Sequence, residues 1–434
     1  MSNRWVPPPP NRRHVARSVS LDLLLLAALA QLACWPSPAV AGSWNGQDVQ
    51  KHGVLYVMNP ATGMQPPATI ELRELWRLGG DSESDEEFFG VIESIATDAQ
   101  GNVYVLDAQL SEIKIYDQNG QYLNTIGREG EGPGEFRRPS DMFFMPDGCI
   151  GVMQRVPGKI VMLTPDGEPA GDFPLPAPDG GGFQMLFGGR RAGSHIILVR
   201  HLQSRSKGKV TQKVSLDGMD MQGRILNSYT TYTRELKLAN RVLEEDSFLT
   251  FDRAGRWGVG TDGRVYVLAG GLDYEITLFK ADGTLDRVVR REYARRKRRQ
   301  EEIDELRNLW VAFAARLVIA AADPDISGIY PRDDGTLWVL TSHGSRMLPA
   351  GLLGVFDIFD SRGRYVREVA LRGQGDPQMD GYFFVGDRLY VVTGWRPARQ
   401  ALLAMGRSKH EAAEATPMEL NCYRVEAAGI AESK

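Results

Sequence analysis

The sequence predicts an all-β fold in which one four-stranded antiparallel unit repeats around a ring. Three observations carry that prediction. A glycine turn followed by an alternating apolar strand recurs six times along the chain. A second Asn-Gly- or Asp-Gly-like turn follows each of the four clearest copies about twenty residues on, somewhat further in the last. The first two copies start roughly 47 residues apart, a period that suits a four-stranded propeller blade.

Taken in order, the chain opens on a stretch that reads as an export signal spanning residues 1–41. Arg12, Arg13 and Arg17 precede the apolar run Leu21–Ala30, which is too short to span a bilayer. Ala39-Val40-Ala41 offers a small-residue cleavage site before Gly42. Gln31-Leu32-Ala33-Cys34 is a weak lipobox, so a lipoprotein signal ending before Cys34 is the alternative. The mature protein is then expected in the periplasm, outside the cell or on the envelope, touching membrane only through such an anchor.

Residues 42–430 read as one domain. Ile70–Gly79 has the pattern of an outermost strand, expected to pair with Leu420–Val425 and so fasten the two chain ends in one blade. A seventh blade around Gly53-Val54-Leu55-Tyr56-Val57 is the competing expectation. The acidic run Asp81–Glu87 reads as a solvated loop able to pair with a basic segment further on. The repeats follow as Gln100-Gly101-Asn102-Val103-Tyr104-Val105, Asp147-Gly148-Cys149-Ile150-Gly151-Val152, Asp262-Gly263-Arg264-Val265-Tyr266-Val267 and Asp334-Gly335-Thr336-Leu337-Trp338-Val339. Gly193-Ser194-His195-Ile196-Ile197-Leu198 and Gly386-Asp387-Arg388-Leu389-Tyr390-Val391 are weaker copies. Blade three departs from the pattern with a long polar stretch, Arg200–Thr211, and blade six blurs after Trp395.

Between the first two repeats lies Gly127-Arg128-Glu129-Gly130-Glu131-Gly132-Pro133-Gly134-Glu135-Phe136. It carries three glutamates and leads into another strand, whereas a phosphate-binding loop needs a following helix. It reads as a crossing from one sheet to the next. This link, with Pro139, with Asp98–Asp107 and with the shortened echo Leu371–Pro377, resembles the six-bladed β-propellers of the NHL-repeat type, especially exported bacterial ones. The resemblance implies six four-stranded antiparallel blades over roughly residues 50 to 426. It implies little about activity.

One large insertion, 291–325, is expected between blades four and five. Ile303, Leu306, Trp310, Phe313 and Leu317 recur at helical spacing, with acidic residues ahead of them and Asp323-Pro324 behind. A lid over the central opening and a cover for the propeller rim are both consistent with that stripe. Before it, Arg290–Arg299 carries seven positive charges, which reads as a solvated run or as a contact for an anionic partner.

Composition narrows the function classes. With 434 residues, 42% hydrophobic and 24% charged, the chain has ample core, and its net charge of −4 argues against nucleic acid. Cleavage after Ala41 would leave Cys149 and Cys422, two thiols rather than a disulfide framework, though one bridge is permitted in that compartment. In a four-stranded meander the second-to-third loops and the links between blades share one face. They are longer and more varied than the tight turns opposite, and such loops carry binding residues. On them lie Asp107, Arg155 and Asp273, then His343 with Arg346, and Trp395 with Arg396. Arg128 and Arg138 belong to the glycine-rich link on that face. No nucleophile-elbow, zincin or Cys-x-x-Cys motif is present. The reading is a monomeric, cofactor-free scaffold for protein or polysaccharide. The alternative is a metal-dependent lyase, lactonase or hydrolase using calcium or zinc at the channel, a chemistry known among propellers of this kind.

Overall fold

The computed structural model describes residues 42–178, 182–206, 209–237, 242–245, 251, 255–268, 270–310, 316–404 and 418–425. The signal-like segment, Cys34 and Phe313 lie outside them. Among the described residues no helix is long and apolar enough to cross a membrane.

Four strands precede the first repeat: β1 (Gln47–Lys51), β2 (Val54–Asn59), β3 (Ala68–Glu71) and β4 (Arg73–Gly79). Blade one is β5 (Ile92–Thr97), β6 (Val103–Asp107), β7 (Glu112–Tyr116) and β8 (Tyr122–Ile126). Blade two is β9 (Pro139–Phe144), β10 (Ile150–Gln154), β11 (Lys159–Leu163) and β12 (Pro169–Asp172). Blade three is β13 (Phe183–Ala192), β14 (His195–Ser206), β15 (Lys209–Met219) and β16 (Ile225–Lys237). After the short β17 (Val242–Glu244), blade four is β18 (Trp257–Val259), β19 (Val265–Val267), β20 (Glu275–Phe279) and β21 (Leu285–Arg291). Helix α1 (Gln300–Trp310) and β22 (Arg316–Val318) separate it from blade five: β23 (Ile326–Pro331), β24 (Leu337–Thr341), the short helix α2 (Ser342–Ser345), β25 (Leu352–Phe359) and β26 (Tyr365–Arg372). Blade six is β27 (Gly381–Val385), β28 (Arg388–Val392), helix α3 (Trp395–Ala404), β29 (Glu419–Arg424) and, as its outermost strand, β4.

Each blade is an antiparallel meander, and the first strands of neighbouring blades approach one another around the centre. Six buried apolar clusters fill the six gaps between blades. One of them joins Ile92, Val103 and Tyr116 of blade one to Tyr390, Leu420 and Cys422 of blade six, so the ring is closed. Closure runs through the expected pairing, with Leu78 opposite Leu420 and Trp76 opposite Cys422. Among the described residues there is no seventh blade. The segment proposed for it, β2, instead adds to the outer edge of blade four in parallel to β21, with β1 beyond it, and β3 adds in parallel to β26 of blade five. Residues 47–79 thus form an outer belt over blades four, five and six.

Within the polar stretch of blade three, Arg200–Ser206 continues β14 and Lys209–Thr211 opens β15, paired antiparallel, and this blade's strands run 10 to 13 residues against three to eight elsewhere. The extra length projects from the face that carries the second-to-third loops, because the opposite ends close in short turns near Gly193 and Gly223. The described part of the blurred stretch in blade six, up to Ala404, is helix α3. In the glycine-rich link, Phe136 is wholly buried between blades one and two, and the Glu135 carboxylate accepts the Gly132 N–H at 2.9 Å and Arg128 Nε at 2.7 Å. A Cβ on Gly127, whose φ is +79°, would meet the Phe136 ring at 2.6 Å.

Candidate functional site

The seven-charge run is not a free basic patch. Arg291 pairs with Asp357, Arg295 with Asp325 and Asp273, Arg296 with Asp323 and Glu302, and Arg298 with Asp323 and Glu245. These pairs fix the 292–299 segment against blades four and five. The acidic run docks elsewhere: the backbone carbonyls of Asp85 and Glu86 accept from Lys114 and Tyr116 of blade one. Cys149 and Cys422 are both free thiols on different blades, and burial pushes the Cys422 pKa up to about 11.

The nine residues singled out from the loop face do lie at that end of the blades, but most of them tie one loop to the next. Asp107 is wholly buried, and its carboxylate accepts the N–H groups of Gly90, Val91, Gln109 and Leu110. That leaves it bracing the link into blade one rather than facing a ligand. Trp395 donates its indole N–H to the Ile92 carbonyl at 2.7 Å and packs on Phe383, pinning α3 across blades six and one. His343 has its Nε2 2.9 Å from the Ala294 carbonyl. Arg346 reaches Gln378, and exposed Arg128 reaches Glu135. Arg396 is exposed on α3, its backbone N–H bonded to the Met379 carbonyl. Arg138 is exposed just ahead of β9 with φ +44°, a left-handed conformation costing a non-glycine residue roughly 1–2 kcal/mol.

The structure gathers two groups. The first surrounds Glu93, the second residue of the innermost strand of blade one. Its side chain is 7% exposed and meets Arg399 of α3 through Nε at 2.9 Å to both oxygens and Nη2 at 2.7 Å. The charges of Arg155 and Asp141 act on it as well. Asp141, on the innermost strand of blade two, accepts Ser94 Oγ at 3.0 Å, the Gly189 N–H at 3.1 Å and Arg190 Nη1 at 2.8 Å. Arg190 lies over Trp257 of blade four, and Arg155 over Phe187, which stacks on His201 at 3.9 Å. Blades one, two, three, four and six therefore contribute to one charged cluster at the inner strands. Of its members, Arg155 and His201 fall on the loop face in the sequence reading. The others had a weaker signal, an acid inside an apolar first strand, as in Ile92-Glu93-Ser94-Ile95 and Ser140-Asp141-Met142.

The second group, at blades four and five, joins Asp273 and His343 through Arg295, Tyr293 and Ala294. Among the described residues, no three His, Cys, Asp or Glu side chains converge to hold a metal ion.

Burial holds the Glu93 carboxyl above its ordinary pKa, outweighing the opposing pull of Arg399. A carboxyl raised in the folded state contributes stability that is present below its unfolded pKa and lost as pH rises through the folded one. Glu93→Gln lacks that titration. The stability of the wild type relative to Glu93→Gln should therefore fall as pH rises from about 4 to about 8, a range that starts near the free carboxylate pKa. Urea unfolding at both pH values checks it, and a constant or rising gap would contradict it.

The sequence model of a family described as six-bladed β-propellers matches residues 83–168, which hold blade one and the first three strands of blade two. The chain is a six-bladed β-propeller. No curated protein matches it. Solved structures similar to this propeller include a Bacteroides fragilis protein classed provisionally as exported, at 13% identity and TM-score 0.44, covering 83% of this chain and 100% of that one. Another is the calcium-binding protein regucalcin of Agrobacterium tumefaciens, at 10% identity and TM-score 0.41, covering 82% and 97%. Virginiamycin B lyase of Staphylococcus aureus has 10% identity and TM-score 0.36, covering 81% and 99%.

Proposed function

We propose that this propeller is an exported, monomeric binding scaffold that holds a protein or polysaccharide ligand on its loop-rich face, without a cofactor. Export rests on the basic and apolar signal pattern ahead of Gly42 and on the resemblance of the glycine-rich link to exported NHL-type propellers. The observation that carries the binding reading is blade three. Its strands outrun those of every other blade and stand as a ridge beside the Arg155 and Arg190 cluster. Ring closure needs no such length, so the ridge is extra surface on a rigid base, placed where loops gather.

Replacing residues 204–211 with an Asn-Gly turn shortens the ridge while leaving the inner part of the blade paired. Binding to polysaccharide and protein fractions of a bacterial envelope should weaken at least tenfold (about 1.4 kcal/mol), with an unchanged melting temperature. Equal binding by the shortened chain would sink the reading. One observation favours the alternative of a lyase, lactonase or hydrolase: burial holds the Glu93 carboxyl above its ordinary pKa against the pull of Arg399 and Arg155, the direction a general acid would need. Under that reading calcium or zinc would be supplied at the channel, and turnover abolished by Glu93→Gln would establish it.

A further inference from the structure

The belt does more than cover an edge. Where β1 and β2 lie against blade four, they complete a half-open cleft of about 580 Å³ at the outer rim of the loop-rich face. Gln47, Met58, Arg290 and Glu275 sit opposite one another on four adjacent strands and lay a row across the sheet there. Tyr274, Tyr293, Arg295 and Asp273 come from the loops above, with Asp325 from the link into blade five. The volume falls within the range of pockets that take small organic ligands.

The walls are held in place. Arg295 is clamped between Asp325 and Asp273, Arg291 between Asp357 and the Tyr365 ring, and Arg290 by Glu275 at 2.6 Å. Asn59 fixes the belt side by accepting from Trp44 Nε1 and the Tyr365 N–H and donating to the Arg290 and Gly363 carbonyls. Other groups on the lining are left with capacity. Among the described residues the exposed Glu292 carboxylate and Gln47 amide have no side-chain partner, and Lys51 has only the Tyr56 ring. Asp273 uses one oxygen on Arg295 and is 84% exposed.

Four cations (Lys51, Arg290, Arg291 and Arg295) stand against three acids (Asp273, Glu292 and Asp325), so the cleft has no strong net charge to select an ion. Its unused acceptors and donors face a common space beside tyrosine rings. A ligand that both donates and accepts at many points, and offers a C–H face to an aromatic ring, satisfies that set. We propose that this cleft is a binding site for a neutral saccharide chain. Asp273 and Glu292 accept its hydroxyls, Lys51 and Gln47 donate to them, and Tyr293 lies along the sugar ring. The site deepens the polysaccharide reading of the loop-rich face but shares no residue with the blade-three ridge, so the ridge-shortened chain tells the two places apart.

The test uses the chain from Gly42 onward and a panel of neutral hexasaccharides: cello-, malto-, laminari- and chitohexaose, with oligogalacturonate as the charged comparison. Calorimetry and saturation-transfer NMR should detect one or more of the neutral chains. Glu292→Ala and Lys51→Ala, both on exposed side chains outside the ion-pair network, should each weaken that binding at least tenfold with unchanged melting temperature. The ridge-shortened chain should bind the same sugar as the wild type. Failure of every neutral chain to bind, preference for oligogalacturonate, or binding indifferent to both substitutions would overturn the assignment.

Discussion

A chain starting at Glu83, and so lacking β1 to β4, is expected to lose cooperative folding, although every repeat that defines the propeller is still present. Blade six would keep three strands and expose the edge of β29, the pairing site of Leu78 and Trp76. Leu78 is buried in the cluster between blades six and one. Trp76 packs on Tyr390 at 5.9 Å and donates its indole N–H to the Gln118 carbonyl, where a Cβ on Gly120 would strike its ring at 2.9 Å. Losing β4 therefore opens the ring at the one seam where the two chain ends meet. A chain starting at Ala68 keeps β3 and β4 and should fold, but without Val57 in the core and without Asn59. The four hydrogen bonds of Asn59 contribute on the order of 4 kcal/mol at about 1 kcal/mol each. Thermal unfolding followed by circular dichroism should rank the three chains: full belt highest, Ala68 start lower, Glu83 start without a cooperative transition. A Glu83 start that melts like the full chain would show that six blades close without the belt.

That ranking also explains which parts of the architecture are legible in sequence. The tight turns are local: the Asp98 carboxylate accepts the N–H groups of Gln100 and Asn102, and Gly101 takes φ +85° in the same turn. Such turns write themselves into a few consecutive residues, and their recurrence revealed the ring. Closure through β4 was legible because an amphipathic strand stood without a partner ahead of the first repeat. The parallel additions of β2 and β3 have no such signature, since a parallel edge pair joins segments hundreds of residues apart with no turn between them. The charge run from Arg290 misled for the same reason. Its partners Asp357, Asp325, Asp323 and Glu245 are scattered along the chain, and a run of like charge looks solvated until its distant counter-ions are known. Glu93 was hidden because it occupies a strand rather than a loop.

Arg200→Met is expected to destabilise the protein by about 3–5 kcal/mol, the cost of leaving a buried charge without its partner. Arg200 and Asp217 form an ion pair of 3.1 Å inside blade three, with side chains 4% and 3% exposed. The guanidinium also donates to Gln184 Oε1 from Nε at 3.1 Å and Nη2 at 2.7 Å, and the carboxylate accepts Ser215 Oγ and Ser228 Oγ at 2.6 Å each. Most lone pairs and protons of the pair are thus used inside the protein. With Arg200 gone, Asp217 keeps its two hydroxyls but loses its counter-charge, in a position water barely reaches. Asp217→Leu alone should cost a similar amount by stranding the guanidinium. The double variant Arg200→Met/Asp217→Leu removes both charges and should cost far less than the sum of the singles. Urea unfolding of the four chains measures that coupling, and two singles that each cost under about 1 kcal/mol would show the pair to be solvated after all. The position of this pair gives the result a second meaning. Arg200 marks where β14 leaves the ordinary blade length and continues into the ridge, so the ion pair anchors the base of the projecting strands to the sheet beneath. If the singles lower stability without altering ligand binding at temperatures where the fold persists, the pair serves the scaffold. If binding falls first, the ridge depends on its anchor for orientation, and the blade-three surface is where the ligand sits.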